Sequence, residues 1–208
     1  MFSLFIALVG VSLLVITGEY LRRVHLFHAE VTRKFIHITV ASFAASWPFF
    51  MEWNQIYLMS MLMLVGILLS RFMHLFRAIH GVKRRTWGEL FFAMSIGLCA
   101  VLGQSPWGFA AAMLVMGVAD GFAALVGTLL DNPHRYKVLG HTKSREGTLT
   151  FFVIALIILV ACASFGHLSP TISKILILAA FATVLENVAV AGTDNVAVPL
   201  AVVIFITA

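Results

Sequence analysis

Long apolar runs follow one another along almost the whole chain, and most of them are long enough to cross the ~30 Å hydrocarbon core of a bilayer as helices. The pattern predicts an all-α, polytopic membrane bundle of eight transmembrane helices, or seven if the last run re-enters the membrane without crossing it. We expect a single membrane-embedded domain over 1–208. The predicted spans are 2–18, 35–50, 54–73, 89–104, 107–130, 149–166, 172–190 and 195–208.

The composition agrees with this pattern. Hydrophobic residues make up 61% of the chain and charged residues only 11%, with a mean hydropathy of +1.01, which is far from the balance of soluble domains. The sequence pI of about 9.6 raises the alternative of a nucleic-acid partner. We expect none, because the basic residues form short clusters between apolar runs, where membrane orientation explains them.

The basic clusters also predict an orientation. All but one of the 14 Lys and Arg side chains fall in alternate connections, and only Lys174 lies on the opposite side. The positive-inside rule therefore places these connections in the cytoplasm and both termini outside, so that any site built from the polar connections faces the cytoplasm. The clusters are Arg22, Arg23, Arg33 and Lys34; Arg71, Arg77, Lys83, Arg84 and Arg85; and Arg135, Lys137, Lys143 and Arg145.

An aspartate interrupts the most glycine-rich of the predicted spans. Asp120 lies within 107–130, where a charged side chain costs ~2.5–3.5 kcal/mol on insertion scales. We expect it to face the bundle interior or water. Gly117 and Gly121 are spaced to let another backbone, a phosphate or a metal approach closely. The alternative is helix packing with one interhelical hydrogen bond.

A polar loop follows this span and ends where the next apolar run begins. It carries Lys143, Ser144, Glu146 and Gly147. Backbone N–H groups at such a helix start, with Lys143 and Arg145 beside them, bind anionic oxygens, and Ser144 or Thr142 can cap the helix. Capping alone explains Ser144 and Glu146 equally well, but a lysine at a helix N-terminus opposes the helix dipole unless an anion lies between them.

A second acidic segment lies near the end of the chain. Glu186 is within an apolar run, and Gly192, Asp194 and Asn195 follow it. We predict that the helix breaks here and exposes backbone groups that a ligand, an ion or water must satisfy. Asp120, Glu186 and Asp194 are suited to bind Mg²⁺, which prefers carboxylates, phosphate oxygens and water. The alternative is a purely structural polar cluster.

Two further polar groups open predicted spans, Arg33-Lys34-x-x-His37 and Arg84-Arg85-x-x-Gly88-Glu89. Orientation and anionic headgroups explain the basic residues as well as a substrate does. His37 and Glu89 each lie about one turn deeper, where a polar side chain needs a partner.

In order along the chain, these motifs resemble the membrane-bound polyprenol kinase family, which includes dolichol, phytol and farnesol kinases and a CTP-dependent diacylglycerol kinase. The resemblance spans most of the chain and implies transfer of a phosphoryl group from CTP, with a divalent metal, to a lipid alcohol. Gly121 stands where the family often has threonine, so no hydroxyl ligand is available there. The motifs are Arg33-Lys34-x-x-His37, Arg85-x-x-Gly88-Glu89, Ala119-Asp120-Gly121 with Gly127, Lys143-Ser-x-Glu146-Gly147, and Glu186 followed by Asp194-Asn195-x-x-x-Pro199.

The hypothesis for the site combines these positions with the resemblance. His37 or a carboxylate accepts the alcohol proton, and Mg²⁺ is the cofactor. The catalytic residues are Asp120, Lys143, His37 and Asp194; the nucleotide-binding residues are Gly121, Lys143, Ser144, Glu146, Gly147, Asn195 and Arg85; the residues for substrate or phosphate are Arg33, Lys34 and Glu89; and the metal ligands are Asp120, Asp194 and Glu186.

Other functions remain open from the sequence. The K-S-x-E-G loop is also similar to part of phosphatidate cytidylyltransferase, although the basic C-terminal signature of that enzyme is absent. Diacylglycerol is an alternative acceptor to an isoprenoid alcohol. A small transporter or lipid-binding protein is the non-enzymatic alternative, with the buried acids as a proton or cation path. Gly117 and Gly121 suit a homodimer contact as well as an internal one.

Overall fold

The computed structural model describes residues 1–24, 29–73, 87–103 and 105–207. About 81% of the structure is helical, which confirms the all-α prediction. Arg84 and Arg85 lie outside the described residues. The helices are α1 (Phe2–Arg23), α2 (Ala29–Ala45), α3 (Trp53–Phe72), α4 (Gly88–Gly103), α5 (Pro106–Leu129), α6 (Arg145–Phe165), α7 (Ile172–Val188) and α8 (Asp194–Thr207), with a 3₁₀ turn at Trp47–Phe49 and two short strands, β1 (Arg135–Val138) and β2 (His141–Ser144).

Four of these helices, α1, α3, α5 and α6, are long and apolar enough to cross a membrane. Two more, α4 and α8, are apolar but shorter. Their length and composition are those of a membrane protein, and the predicted total of seven or eight crossings stays a prediction.

Helix α5 lies at the centre of the bundle. In its most apolar window 67% of the residues are buried, against 17–28% in α1, α3 and α6. Small residues let neighbouring helices approach it: a side chain at Gly117 would collide with Ala41 of α2, and one at Gly121 would collide with Ile38. The two glycines therefore serve a contact inside this chain. Asp120 lies between them and is 7% exposed, so the prediction that it faces the interior is confirmed.

The middle of α5 departs from α-helical geometry. Val115–Ala119 forms a π-helical turn directly before Asp120. Such turns are rare and occur often at functional sites. Here the Met116 carbonyl oxygen lies 3.1 Å from His37 Nε2 of α2, so the turn presents a backbone acceptor to a side chain of the neighbouring helix.

A β-hairpin replaces the loop expected between α5 and α6. Its strands pair antiparallel, with Tyr136 opposite Lys143. The turn residues Leu139 and Gly140 both have positive φ, 45° and 83°, as a two-residue turn between twisted strands requires. Strand β2 ends at Ser144 and α6 begins at the next residue, so the hairpin fixes Lys143 at the start of α6.

The predicted break near the end of the chain is confirmed. Helix α7 ends at Val188 and α8 begins at Asp194, with positive φ at Ala191 (56°) and Gly192 (93°). The connection is fixed against the start of α4, because Trp87 N–H donates to the Ala191 carbonyl (3.1 Å) and Asn195 Nδ2 donates to the Gly88 carbonyl (2.8 Å).

Candidate active site

A buried charge cluster joins α2 to the π turn of α5. Lys34 Nζ donates to Asp120 Oδ2 at 2.6 Å, and His37 Nε2 lies 3.3 Å from the same oxygen. All three side chains are at most 10% exposed. Lys34 and His37 share a face because they are three residues apart on one helix. We call Lys34, His37 and Asp120 the α2–α5 cluster; the sequence marked all three residues but not the ion pair between Lys34 and Asp120.

The contacts of His37 fix the role of one ring nitrogen. A carbonyl oxygen can only accept, so Nε2 carries the proton that it donates to the Met116 carbonyl. In the neutral ring the lone pair is then on Nδ1. Phe92 packs against the imidazole at 5.2 Å between ring centroids, which restrains its orientation. His37 is therefore held in a form in which Nδ1 is the atom able to accept a proton.

A second charge cluster joins the hairpin to the end of α7. Lys143 Nζ donates to Glu186 Oε1 and, at 3.2 Å, to the backbone carbonyl of the same residue. The Glu186 side chain is 7% exposed and that of Lys143 is 26% exposed. The lysine of the polar loop and the acid before the helix break thus meet, although 42 residues separate them along the chain.

Asp194 lies close to both clusters. It is within electrostatic range of Asp120, Lys34 and His37 of the first cluster and of Lys143 of the second, and Glu186 is in turn within range of both aspartates. Asp194 Oδ1 is buried and has no hydrogen-bond partner among the described residues. A buried carboxylate oxygen without a donor costs free energy, and a ligand can remove that cost.

The three carboxylates of this region, those of Asp120, Asp194 and Glu186, can be compared with the ligands that Mg²⁺ takes in proteins. Within the described ranges, no group of three or more His, Cys, Asp or Glu side chains is placed to hold a metal by itself. Mg²⁺ usually takes one or two protein carboxylates and completes its shell with phosphate oxygens and water. Asp194 fits that arrangement through its unpartnered oxygen, whereas Asp120 and Glu186 each have one carboxylate oxygen engaged by a lysine and have only the other left for a metal.

The remaining residues of the polar loop make contacts that fix its conformation. Ser144, one of the two caps that the sequence allowed, accepts from Gly147 N–H at 3.1 Å and so caps α6. Glu146 accepts from His134 N–H at 3.0 and 3.1 Å, and its carboxylate lies 2.6 Å from His134 Nδ1. At Gly147 a Cβ would lie 2.8 Å from the Ala123 carbonyl oxygen, so a side chain would separate α6 from α5. Contact of Ser144, Glu146, Gly147 and Gly121 with a nucleotide stays a prediction.

Sequence reasoning missed a hydrogen-bonded group that fixes the hairpin. The Tyr136 hydroxyl lies 2.5 Å from both Thr148 Oγ1 on α6 and Asn187 Oδ1 on α7. Tyr136 is opposite Lys143 in the hairpin, and Asn187 follows Glu186. The group therefore fixes the two backbones that carry the second charge cluster. A polar Asn187 inside an apolar helix was the available signal.

The other predicted substrate contacts have partners of their own. Glu89 accepts from Arg71 Nη2 at 2.8 Å, and the Arg71 guanidinium lies 4.7 Å above the Trp87 ring. Arg33 pairs with Glu30 at 2.6 Å. Arg71 was missed because it belongs to a basic cluster that membrane orientation already explained. Arg85, the predicted nucleotide-binding residue, lies outside the described residues.

Replacing Gly192 by alanine tests how firmly the α7–α8 connection is fixed. A Cβ there would lie 2.6 Å from the Cα and 2.7 Å from the N of Gly88, both backbone atoms, at a φ of +93°. Gly140→Ala is the matched control, because Gly140 has a similar φ (+83°) but nothing within 4 Å. We expect Gly140→Ala to lower the unfolding midpoint of the detergent-solubilised protein by roughly 2–4 °C through backbone strain alone. Gly192→Ala should lower it at least twice as far; equal shifts would show that the contact with Gly88 is loose.

Comparison with known proteins gives one informative match. The chain is 36% identical, over 197 aligned residues, to a phytol kinase of Synechocystis sp., and the alignment covers 89% of this chain and 82% of that protein. No family model matches the chain, and no solved structure matches it significantly. Such identity over nearly the full length of both proteins goes beyond a shared motif. The chain therefore belongs to the family of polyprenol and phytol kinases.

Proposed function

We propose that this protein transfers the γ-phosphoryl group of CTP to the hydroxyl of a prenyl alcohol, with phytol or a similar isoprenoid alcohol as acceptor. The observation that carries the proposal is that two charge clusters, Lys34–His37–Asp120 and Lys143–Glu186, both lie close to Asp194. The phytol kinase of Synechocystis sp. supports the acceptor class. The CTP donor rests on the family resemblance.

In the proposed reaction the alcohol oxygen forms a bond to the γ-phosphorus while the bond from that phosphorus to the β,γ-bridging oxygen breaks. The products are a prenyl monophosphate and CDP, and the alcohol proton passes to His37 Nδ1. Such transfers depend mainly on positioning and on neutralising the charge of the transferred group. A buried cation strongly stabilises the negative charge of the phosphoryl group, because little water is present to screen the interaction.

The two lysines have different roles, since Lys143 supplies positive charge to the phosphate and Lys34 positions Asp120. Lys143 is the more accessible and now donates to Glu186, so we propose that it exchanges this partner for nucleotide phosphate. Lys34 stays with Asp120 in the interior and holds that carboxylate beside His37. Bound Mg²⁺, held by Asp194 and by the Asp120 oxygen that Lys34 does not engage, would neutralise phosphate charge in the same place.

We propose that the site faces the cytoplasm. The two lysines and Arg33 belong to the basic clusters that the positive-inside rule assigns to that side. This orientation gives a soluble nucleotide access to the site, while the hydrocarbon part of the alcohol lies between helices at the depth of the bilayer.

The donor and the reaction type can be tested together by comparing CTP labelled at two different phosphates. Purified protein with Mg²⁺ and phytol should transfer label to lipid from CTP labelled at the γ position and not from CTP labelled at the α position. Geranylgeraniol, a polyprenol and diacylglycerol compare acceptors, and ATP, GTP and UTP compare donors. Label appearing in a CDP-lipid from α-labelled CTP and phosphatidate, with no labelled alcohol, would instead establish cytidylyl transfer.

A further inference from the structure

An apolar cavity of about 380 Å³ lies among α1, α2, α3 and α4, next to the α2–α5 cluster. Its volume is within the range of small-molecule sites in proteins. Most of its wall is aliphatic or methionine side chain, including Val11, Val40, Met59 and Met63. Along α3 the wall runs from Met59 to Ser70, which corresponds to about 16 Å of helix. The cavity is therefore elongated, and its apolar lining suits a hydrocarbon chain.

One end of the cavity is polar. Arg33, His37, Glu89 and Asn195 line it there, and these residues come from α2, α4 and α8. His37 belongs both to this wall and to the α2–α5 cluster, where its Nε2 lies 3.3 Å from Asp120 Oδ2. A ligand that fits this shape has a long apolar chain and one small polar head, with the head beside His37.

We infer that this cavity binds the hydrocarbon chain of the acceptor alcohol and places its hydroxyl at His37. The inference rests on the proposed function, since it takes a prenyl alcohol as the occupant. A prenyl alcohol matches both ends of the cavity, because its hydroxyl is small and uncharged and its chain needs no polar partner. A phospholipid carries a bulky charged headgroup and two chains, which this single elongated cavity suits poorly.

Gly66 is the position at which the cavity can be filled without disturbing the fold. It lines the cavity on α3, one turn before Ser70, and a Cβ added there would meet nothing within 4 Å. Because Gly66 is itself part of the wall, a larger side chain there narrows the space proposed for the chain. Leucine is also a better helix former than glycine, so the substitution does not weaken α3.

The test compares Gly66→Leu with Val65→Phe. Val65 is 54% exposed and is not part of the cavity wall, and the change to phenylalanine adds as many carbon atoms as Gly66→Leu does. We expect Gly66→Leu to raise the KM for phytol at least tenfold while the KM for the nucleotide changes less than twofold. A five-carbon prenol should be affected much less than phytol, and Val65→Phe should match the unsubstituted protein with both alcohols.

A second measurement keeps the inference separate from the proposed reaction. A photoreactive C20 prenol should label α1 and α3 residues of the cavity, with labelling suppressed by excess phytol and by Gly66→Leu but not by Val65→Phe. Labelling without any phosphoryl transfer would overturn the proposed function and leave the cavity assignment standing. Unchanged phytol KM and unchanged labelling in Gly66→Leu would overturn the cavity assignment, as would suppression by phospholipid but not by phytol.

Discussion

Asp120→Asn is expected to lower the rate of phosphoryl transfer by about 10³-fold or more, because it removes the negative charge at the centre of the α2–α5 cluster. Asparagine keeps the size of the side chain, so the glycine contacts on either side are unchanged. The rate should be measured at saturating nucleotide and alcohol. Asp131→Asn is the matched control: Asp131 is exposed just beyond the end of α5, and its substitution should leave the rate unchanged.

A loss of stability must be separated from a loss of chemistry in this experiment. Asp120→Asn leaves Lys34 as a buried cation without its counterion, which costs about 3–5 kcal/mol. The double variant Lys34→Met with Asp120→Asn removes both charges and should recover thermal stability. We expect it to remain inactive. Recovery of activity to within tenfold of the unsubstituted protein would show that the ion pair only stabilises the fold.

The pattern of the sequence was sufficient to predict the helices because a membrane restricts the choices. A buried backbone in lipid must be helical or a closed barrel, so each long apolar run predicted a helix, and each has one. The same restriction made Asp120 and Glu186 conspicuous, and both are buried. The break before Asp194 was predictable because Gly192 and the polar residues around it cannot continue an apolar helix.

Partners of the polar residues could not be predicted, because they depend on how the helices pack. Lys34 was assigned to phosphate or headgroups by its place in a basic cluster, yet it pairs with Asp120, 86 residues later. The hairpin was missed since its strands are only four residues each and carry charged side chains. The cavity left no signal at all, because the side chains that line it look the same in sequence as those that face lipid.

Lys143→Met is expected to lower kcat/KM for the nucleotide by about 10²–10³-fold, because it removes the cation proposed to bind phosphate. The KM for the alcohol should change little. Lys137→Met, on the facing strand, is the matched control: Lys137 is exposed and carries the same charge.

Since Lys143→Met also leaves Glu186 buried without its partner, Glu186→Gln must be added to it. If Lys143 served only to neutralise Glu186, the double variant would regain activity; if it binds phosphate, the double variant stays inactive while Glu186→Gln alone keeps activity within about tenfold.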